Sequence, residues 1–286
     1  MSYQSYISSN CIVVDDRDTP PPIPRALRRR GMGTGYQQRN YQKHPFGSLA
    51  EPLGDGFTFP REELYDRIRE REALKITNKE VALRKGWEIK NQRSIPYCWV
   101  FGVTGAAEVV GIMEGHEYVK LSPSSVGSKV TNFRSVGGWG DNAARYAAKY
   151  GWVPQDLWPE VAIDRRYDKP ENWEAAKRYV IKDWNELRPR SLDEMFACLL
   201  RGLPVPVGFN WWRHLVFAMD PKIFDKPRAS SEGGISDREL LRCFGTEIAN
   251  SWGPNWSANG FGILKGSKQL ADGQVCVRSM TPLMTA

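Results

Sequence analysis

Apolar and polar positions change their pattern twice along the chain, and the changes predict helices first and strands later. Over residues 1–60 the apolar positions follow no period, and proline and glycine are frequent. The charged run 61–85 then carries Leu64, Ile68 and Leu74 at near-helical spacing, which predicts one amphipathic helix leading into a core.

The next stretch is rich in apolar and small residues, and its spacing predicts helices. From Cys98 to about Gly115 the apolar positions surround the helix axis, which predicts a helix buried on most sides. Pro96 lies two residues before Cys98, a position typical of a helix start. Further helices are predicted over Asn142–Tyr150, over Glu171–Leu187 and, with Ser191 and Glu194 as a capping box, through Leu200.

After Gly202 the pattern changes to short β-type runs bounded by Gly, Pro, Asn and Asp. These runs are 205–210, 214–220, 244–250 and 260–266. Helices followed by strands predict an α+β protein with a helical lobe and a sheet lobe. We therefore divide the chain into an N-terminal extension (1–60), a helical lead-in (61–85), a helical lobe (86–190) and a β lobe (191–286).

The composition is that of an ordinary soluble globular protein. The chain has 286 residues, of which 41% are hydrophobic and 26% charged. No stretch approaches the roughly 18 apolar residues of a membrane span. The run Cys11–Val14 is followed at once by Asp15, so no signal peptide is indicated. We expect a cytoplasmic or virion-associated protein with no membrane contact.

The positive charge is concentrated near the N-terminus. The net charge is +7, and residues 1–50 contribute +4, from seven basic and three acidic residues. A basic arm can bind nucleic acid or an acidic protein surface. No nucleic-acid module accompanies it, so nucleic acid is not favoured and a solvated tail is the preferred interpretation.

The cysteines and histidines are too few and too scattered for a disulfide framework or a zinc site. Five cysteines occur without a CxxC pair, and the three histidines are His44, His116 and His214. We predict a reducing environment, no metal and no cofactor.

Cys98 has the setting of a catalytic nucleophile. At the start of a buried helix the helix dipole and unpaired N–H groups are expected to lower the thiol pKa. A reactive thiolate needs a base, and His214 at the start of a predicted strand can supply it. The amide oxygen of Asn250 can then accept the other ring N–H, and Trp252 can shield that bond.

These residues belong to an ordered set that resembles the papain-like cysteine peptidases. The segment Asn91–Trp99 places Gln92 six residues before Cys98, and Pro204–His214 is similar to the approach to the family's histidine. The other matching elements are Leu121-Ser122-Pro123, Gly137-Gly138-Trp139, Asn250-Ser251-Trp252-Gly253 and the closing run 260–266. The order is kept over about residues 85–268.

The resemblance implies a two-lobed papain fold and thiol-dependent hydrolysis of peptides or proteins. Cys98 would attack a peptide carbonyl while ion-paired with His214, and Gln92 with the Cys98 N–H would stabilise the oxyanion. The Gly-Gly-aromatic segment is implied to bind substrate. With the two tryptophans near the histidine, the expected substrate-binding residues are Gly137, Gly138, Trp139, Trp212 and Trp252.

The chain also departs from the family's pattern. Ile95 stands where a disulfide cysteine is usual, Tyr97 replaces a small residue, and Arg213 precedes the histidine. The interval from His214 to Asn250 is 36 residues, with its excess in a polar stretch interpreted as a surface loop. Residues 61–85 occupy the place of a propeptide, but no inhibitory propeptide motif is visible there. Activation by cleavage is therefore kept only as a hypothesis.

Two further functions stay open. The disulfide-free core and the unusual extension are similar to papain-fold proteins of bacteria and phages. Residues 1–60 could then anchor a docking component of a virion or other particle. A third hypothesis keeps the nucleophile and makes the chain a cell-wall peptide hydrolase or transpeptidase.

Overall fold

The computed structural model describes residues 3–28, 34–229 and 233–281. In this part of the chain the helices are α1 (Arg25–Arg28), α2 (Arg61–Ala73), α3 (Asn78–Arg84), α4 (Cys98–Met113), α5 (Pro123–Val130), α6 (Gly140–Tyr150), α7 (Pro170–Ala176), α8 (Leu192–Leu200) and α9 (Asp237–Cys243). The strands are β1 (Val13–Val14), β2 (Ile181–Leu187), β3 (Val205–Phe209), β4 (His214–Ile223), β5 (Phe244–Ala249), β6 (Phe261–Lys265) and β7 (Gly273–Met280).

The strands form one sheet in the order β1-β6-β5-β4-β3-β7-β2. Neighbours are antiparallel except β1, which adds to β6 in parallel. Strand β4 is buried along its whole length. Leu215 and Phe217 join the clusters around α4, whereas Val216 and Ala218 join the cluster around α8. Because side chains alternate along a strand, these helices cover opposite faces of β4.

Helix α4 lies against β4 at close range. All its residues from Cys98 to Ile112 are buried. A Cβ on Gly102 would lie 2.4 Å from Leu215 Cδ2, and one on Gly105 would lie 2.6 Å from Phe217 Cε1. Glycine at these positions therefore permits the close approach, which fixes the start of α4 beside the start of β4.

The predicted helix over 171–187 is only partly correct. The helix ends at Ala176, and Ile181–Leu187 is strand β2, paired with β7. Strand formation there depends on a partner almost a hundred residues away in the sequence, which local spacing does not reveal.

The single helix predicted over 61–85 is two helices. The chain breaks between α2 and α3, where Lys75 has a φ of 54°. Thr77 caps α3 by accepting the N–H of Glu80 and donating its hydroxyl to the Glu80 carboxylate. Thr77 and Glu80 form a capping-box pattern that the periodicity concealed.

The N-terminal extension is not a solvated tail where it is described. Leu27, Thr34 and Arg39 are buried, and β1 joins the sheet. The stretch 222–242, interpreted as a surface loop, contains the end of β4 and part of α9, while residues 230–232 lie outside the described chain. The division into four segments stays a prediction.

Candidate active site

Cys98 is the first residue of α4 and is fully buried. Burial raises the pKa of its thiol to about 12, because a thiolate would be poorly solvated there. The groups that oppose this shift are the Thr34 hydroxyl and the N–H groups of Leu215, Trp99 and Tyr36. The expected lowering of this pKa is thus wrong for the state described, since burial outweighs the helix start.

His214 is the first residue of β4 and is held by Asn250, which directly follows β5. The ring Nε2 lies 2.8 Å from Asn250 Oδ1. Trp252 stacks on the imidazole at 4.6 Å between ring centroids, and Trp212 meets it edge-on at 4.9 Å. Burial lowers the pKa of His214 to about 3, with the Asn250 bond opposing the shift. The ring is therefore fixed in orientation, shielded from solvent and neutral.

Cys98 and His214 are adjacent but not hydrogen-bonded. The N–H of Leu215, which follows His214, points at the Cys98 sulfur. Within the described chain, no hydrogen bond joins the thiol to the ring, and His214 Nδ1 has no partner. With one pKa raised and the other lowered, both groups are neutral near pH 7. The expected ion pair is absent from this state because both groups are desolvated.

Gln92 is positioned by the residue after Asn250. Its Oε1 accepts the Ser251 hydroxyl at 2.6 Å, and its backbone N–H donates to the Ser251 carbonyl at 2.8 Å. These two bonds fix the amide so that Nε2 faces the start of α4. Nε2 donates to the Thr34 carbonyl at 2.9 Å and to the Ile95 carbonyl at 2.8 Å.

A segment of the N-terminal extension lies across these groups. We call Thr34–Gln37 the cleft segment. The Thr34 carbonyl receives both Gln92 Nε2 and, at 3.4 Å, the Cys98 N–H. Gly138 N donates to Gly35 O at 2.9 Å, and Gln37 N donates to Gly138 O at 3.1 Å, in a parallel bridge. The chain's own backbone thus occupies the positions that the resemblance assigns to a substrate.

Gly35 permits this close contact. Its φ is +113°, and a Cβ there would lie 1.9 Å from the Pro96 carbonyl oxygen. On the opposite side, a Cβ on Gly137 would lie 2.3 Å from the Gly35 oxygen. The cleft segment is therefore held between two stretches of backbone that leave no room for a side chain at residue 35.

The ring of Tyr36 fills a pocket between the sheet and the Gly137-Gly138-Trp139 turn. A Cβ on Gly208 would lie 2.3 Å from Tyr36 Cε2, and one on Gly273 would lie 3.2 Å from its hydroxyl. Leu215 and Trp139 complete the walls. Glycine on two strands thus provides the space for an aromatic ring.

Arg39 ties the end of the cleft segment to the body of the protein. Its Nη1 lies 3.4 Å from Asp141 Oδ1 and 3.2 Å from Glu186 Oε2. Its Nε and Nη2 donate to the carbonyls of His44 and Pro45. Burial raises the pKa of Asp141 to about 6, with Arg39 opposing the shift.

The predicted site residues fall in one cleft, together with residues that the sequence did not indicate. Gln92, Cys98, His214 and Asn250 surround the Thr34 carbonyl or support the groups that do. Trp139 lies further along the cleft, edge-on to His44 at 4.9 Å. Sequence reasoning missed Thr34, Tyr36, Arg39, Gly208 and Ser251. Ser251 and Gly208 lie in matched segments, Asn250–Gly253 and Pro204–His214, whereas the other three had no such signal.

The cysteine, histidine and acidic side chains of the described residues form no disulfide and no metal site. All five cysteines are free. No cluster of three or more His, Cys, Asp or Glu side chains in the described ranges could hold a metal ion. Among the helices that the structure describes, none has the length and apolarity to cross a membrane.

The chain is similar in sequence to known cysteine proteinases. It is 24% identical to human cathepsin L2 over 200 residues, which cover 62% of this chain and 57% of the relative. It is 26% identical to cysteine proteinase 3 of Dictyostelium discoideum over 185 residues, covering 60% and 53%. The chain thus spans little more than half the length of these relatives.

Solved structures show the same fold. Xylellain, a cysteine protease from Xylella fastidiosa, matches with a TM-score of 0.51 and 16% identity over 69% of this chain and 84% of that one. Digestive procathepsin L 3 of Tenebrio molitor gives 0.51 and 16% over 66% and 65%. The papain-like α+β fold is therefore confirmed. The model of the papain family of cysteine proteases matches residues 77–283, and this chain belongs to that family.

Proposed function

We propose that the chain is a thiol-dependent peptidase whose catalytic groups are Cys98, His214, Asn250 and Gln92. The observation that carries the proposal is the convergence of Gln92 Nε2 and the Cys98 N–H on one carbonyl oxygen. Two preorganised donors on a carbonyl beside a thiol are the requirement for stabilising an oxyanion.

In the reaction, the Cys98 sulfur attacks the substrate carbonyl after His214 takes the thiol proton. The negative charge that develops on the oxygen is stabilised by Gln92 and the Cys98 N–H. His214 then protonates the leaving amine, and water releases the acyl group from Cys98. Asn250 keeps Nε2 engaged, which leaves Nδ1 as the ring atom that exchanges protons with the thiol.

We infer that the described state is latent. The Thr34 carbonyl fills the oxyanion site, and Thr34 and Tyr36 of the cleft segment contact the buried thiol. The imidazole beside it is buried as well. Burial opposes formation of the thiolate and the imidazolium, as the direction of both pKa shifts indicates. Release of residues 34–37 would admit water and substrate together.

The direction of the cleft segment protects it from hydrolysis. His214 donates its proton to the leaving amine, so that amine has to lie on the His214 side of the attacked carbonyl. Here the amide nitrogen after the Thr34 carbonyl belongs to Gly35, and Gly35 lies towards Gly138. The leaving nitrogen would face away from the acid, so the Thr34–Gly35 bond persists.

The pocket that holds Tyr36 supports a preference for an aromatic side chain on the acyl side of the substrate. Gly208 allows the ring to enter, and any larger residue there would collide with it. We expect Gly208→Val to reduce kcat/KM for a Phe-containing peptide more than for its Ala counterpart. Equal losses for both peptides would refute the assignment.

The test of the proposed function is covalent labelling with an epoxide-type thiol-protease inactivator, located by peptide mapping. In Gly35→Ala the added Cβ displaces the cleft segment. We therefore expect this variant to be labelled on Cys98 much faster than the wild type. Gly56→Ala is the matched control, because Gly56 also has positive φ but has open space around it. Labelling of Cys11 without labelling of Cys98 in every variant would contradict the proposal.

Docking to a virion or other particle remains a prediction from the composition of the extension. The described part of the extension contacts its own chain through Thr34 and Arg39. Docking through this part would therefore require its release from the cleft. The phage connection, the cell-wall activity and the cytoplasmic or virion location are likewise untested proposals.

A further inference from the structure

Four tryptophans form a continuous aromatic surface beside His214. Trp211 and Trp212 stack at 5.5 Å between ring centroids, with an interplanar angle of 10°. Trp212 meets Trp252 edge-on at 5.6 Å and lies 6.3 Å from Trp256. Shielding the bond between His214 and Asn250 requires only a ring on that bond. The surface is larger than this role needs.

A proline-rich segment of the extension contacts this surface at Trp212. We call Pro20–Pro24 the proline segment. Trp212 Nε1 donates to the Pro21 carbonyl at 3.4 Å. Pro21 is buried, whereas Pro22 is exposed, and residues 18–24 form neither helix nor strand. Docking of a proline-rich segment on aromatic side chains is a known mode of polyproline recognition.

The position of this surface relative to the thiol fixes which part of a substrate could reach it. The acyl side of the cleft lies at Gly138, where the cleft segment is paired. The leaving amine lies on the His214 side, because His214 protonates it. Trp212 contacts the His214 ring on that side. Residues that follow the scissile bond would therefore extend over the tryptophans.

We propose that the tryptophan surface is a subsite for the leaving part of the substrate and that it binds a proline-rich, extended segment. The proline segment is its occupant in the closed chain. This proposal rests on the proposed peptidase function for its biological use, but the binding itself does not require catalysis. Proline suits the subsite because it loses little conformational freedom on binding in the extended form.

Binding is measured on the full chain with Cys98→Ala, so that no cleavage occurs. Pro20→Ser, Pro21→Ser, Pro22→Ser and Pro24→Ser are combined to weaken the internal occupant. The probe is a synthetic peptide with the sequence of residues 18–25, and the readout is tryptophan fluorescence. We expect saturable binding, and none for a peptide with alanine at the four prolines. Equal response to both peptides, or to neither, would overturn the proposal.

Two tryptophan variants test the role of the indole N–H. Trp212→Phe keeps an aromatic ring but removes the donor, so the affinity should fall roughly fivefold. Trp211→Phe leaves that donor in place and should retain the affinity. Circular dichroism confirms folding of both. If Trp212→Phe misfolds, protection of the Trp212 indole N–H from hydrogen exchange by the probe decides the question.

Cleavage then separates this inference from the peptidase proposal. Two peptides with the same acyl side carry either Gly-Pro-Pro-Pro or Gly-Ala-Ala-Ala after the scissile bond. Gly35→Ala should cleave the proline peptide with the higher kcat/KM, and Trp212→Phe in that background should remove the difference. Equal cleavage would refute the subsite while leaving the peptidase intact. If neither peptide is cleaved, the peptidase proposal fails and the binding experiment alone decides the subsite.

Discussion

The proposed catalytic groups and the segment that covers them are held by different kinds of contact. Cys98 and His214 sit at the ends of α4 and β4, which pack so closely that glycine is needed at 102 and 105. The cleft segment forms neither helix nor a strand of the sheet. Hydrogen bonds to Gln92, Cys98 and Gly138 hold it, together with the Tyr36 ring in its pocket. We call the packing of α4 against β4, with Cys98 and His214 at its edge, the frame. A segment held in this way can leave without disturbing the frame. Different parts of the fold therefore position the site residues and cover them.

The largest effect is expected from the frame itself. Cys98→Ala in the Gly35→Ala background should reduce peptide hydrolysis by at least about a thousandfold, because the thiol that attacks the substrate carbonyl is lost. Rates are measured with a fluorogenic peptide. Cys11→Ala, which removes a half-exposed thiol elsewhere, should leave the rate unchanged. Retained hydrolysis without Cys98 would show that the frame is not the active site.

Gln92→Ala in the same background tests one half of the oxyanion site. The rate constant kcat should fall by about 10²–10³, since one of two donors is lost. The KM should change much less, because the bond strengthens mainly in the transition state. The exposed Gln38 provides the control as Gln38→Ala. A change confined to KM would assign Gln92 to substrate binding instead.

Gly35→Ala tests the covering segment directly. Its Cβ would collide with the Pro96 carbonyl, and the strain at positive φ is on the order of 1–3 kcal/mol, so hydrolysis should rise about 10- to 100-fold. Gly56→Ala should show no such rise. An equal rate in wild type, Gly35→Ala and Gly56→Ala would mean that the cleft segment does not limit access.

The smallest effect concerns Asp141. Its carboxylate faces Arg39, which follows the cleft segment in the sequence. Burial raises the pKa of Asp141 to about 6 in the folded state, above its ordinary value. The free energy of unfolding should therefore fall as the pH rises from about 4 to 6, because the buried carboxyl has to ionise.

The Asp141 contribution is on the order of 2 kcal/mol, and urea unfolding at several pH values measures it. Asp141→Asn should lose this component, while Asp156→Asn, an exposed aspartate change, should keep it. The same slope in wild type and Asp141→Asn would contradict the assignment.

Local signals predicted the frame well. The start of α4 at Cys98, the capping box at Ser191 and Glu194, and the strands that begin at Val205 and His214 are as expected. Each depends on neighbours within a few positions of the sequence. The match of Gln92, Cys98, His214 and Asn250 to an ordered family pattern then indicated that they share one cleft.

The position of the cleft segment over the site could not be predicted from local signals. Gly35 is one of three glycines in residues 31–35, and nothing local shows that its φ and its lack of a side chain fit beside Pro96. Tyr36 enters a pocket formed by residues more than a hundred positions away. The pKa of Cys98 depends on burial beside Thr34 and Tyr36, and that of His214 on burial among residues distant in the sequence. For that reason, the ion pair expected from the sequence differs from the neutral pair that the directions of the two pKa shifts indicate.

The most direct test of the account is the rate at which iodoacetamide alkylates Cys98 as a function of pH. In the wild type, the raised thiol pKa predicts slow alkylation at pH 7 and a rate that is still rising at pH 10. In Gly35→Ala the thiol should react fast at pH 7, with a plateau at lower pH from the thiolate–imidazolium pair. Identical profiles for wild type and Gly35→Ala would contradict the claim that the chain closes its own active site.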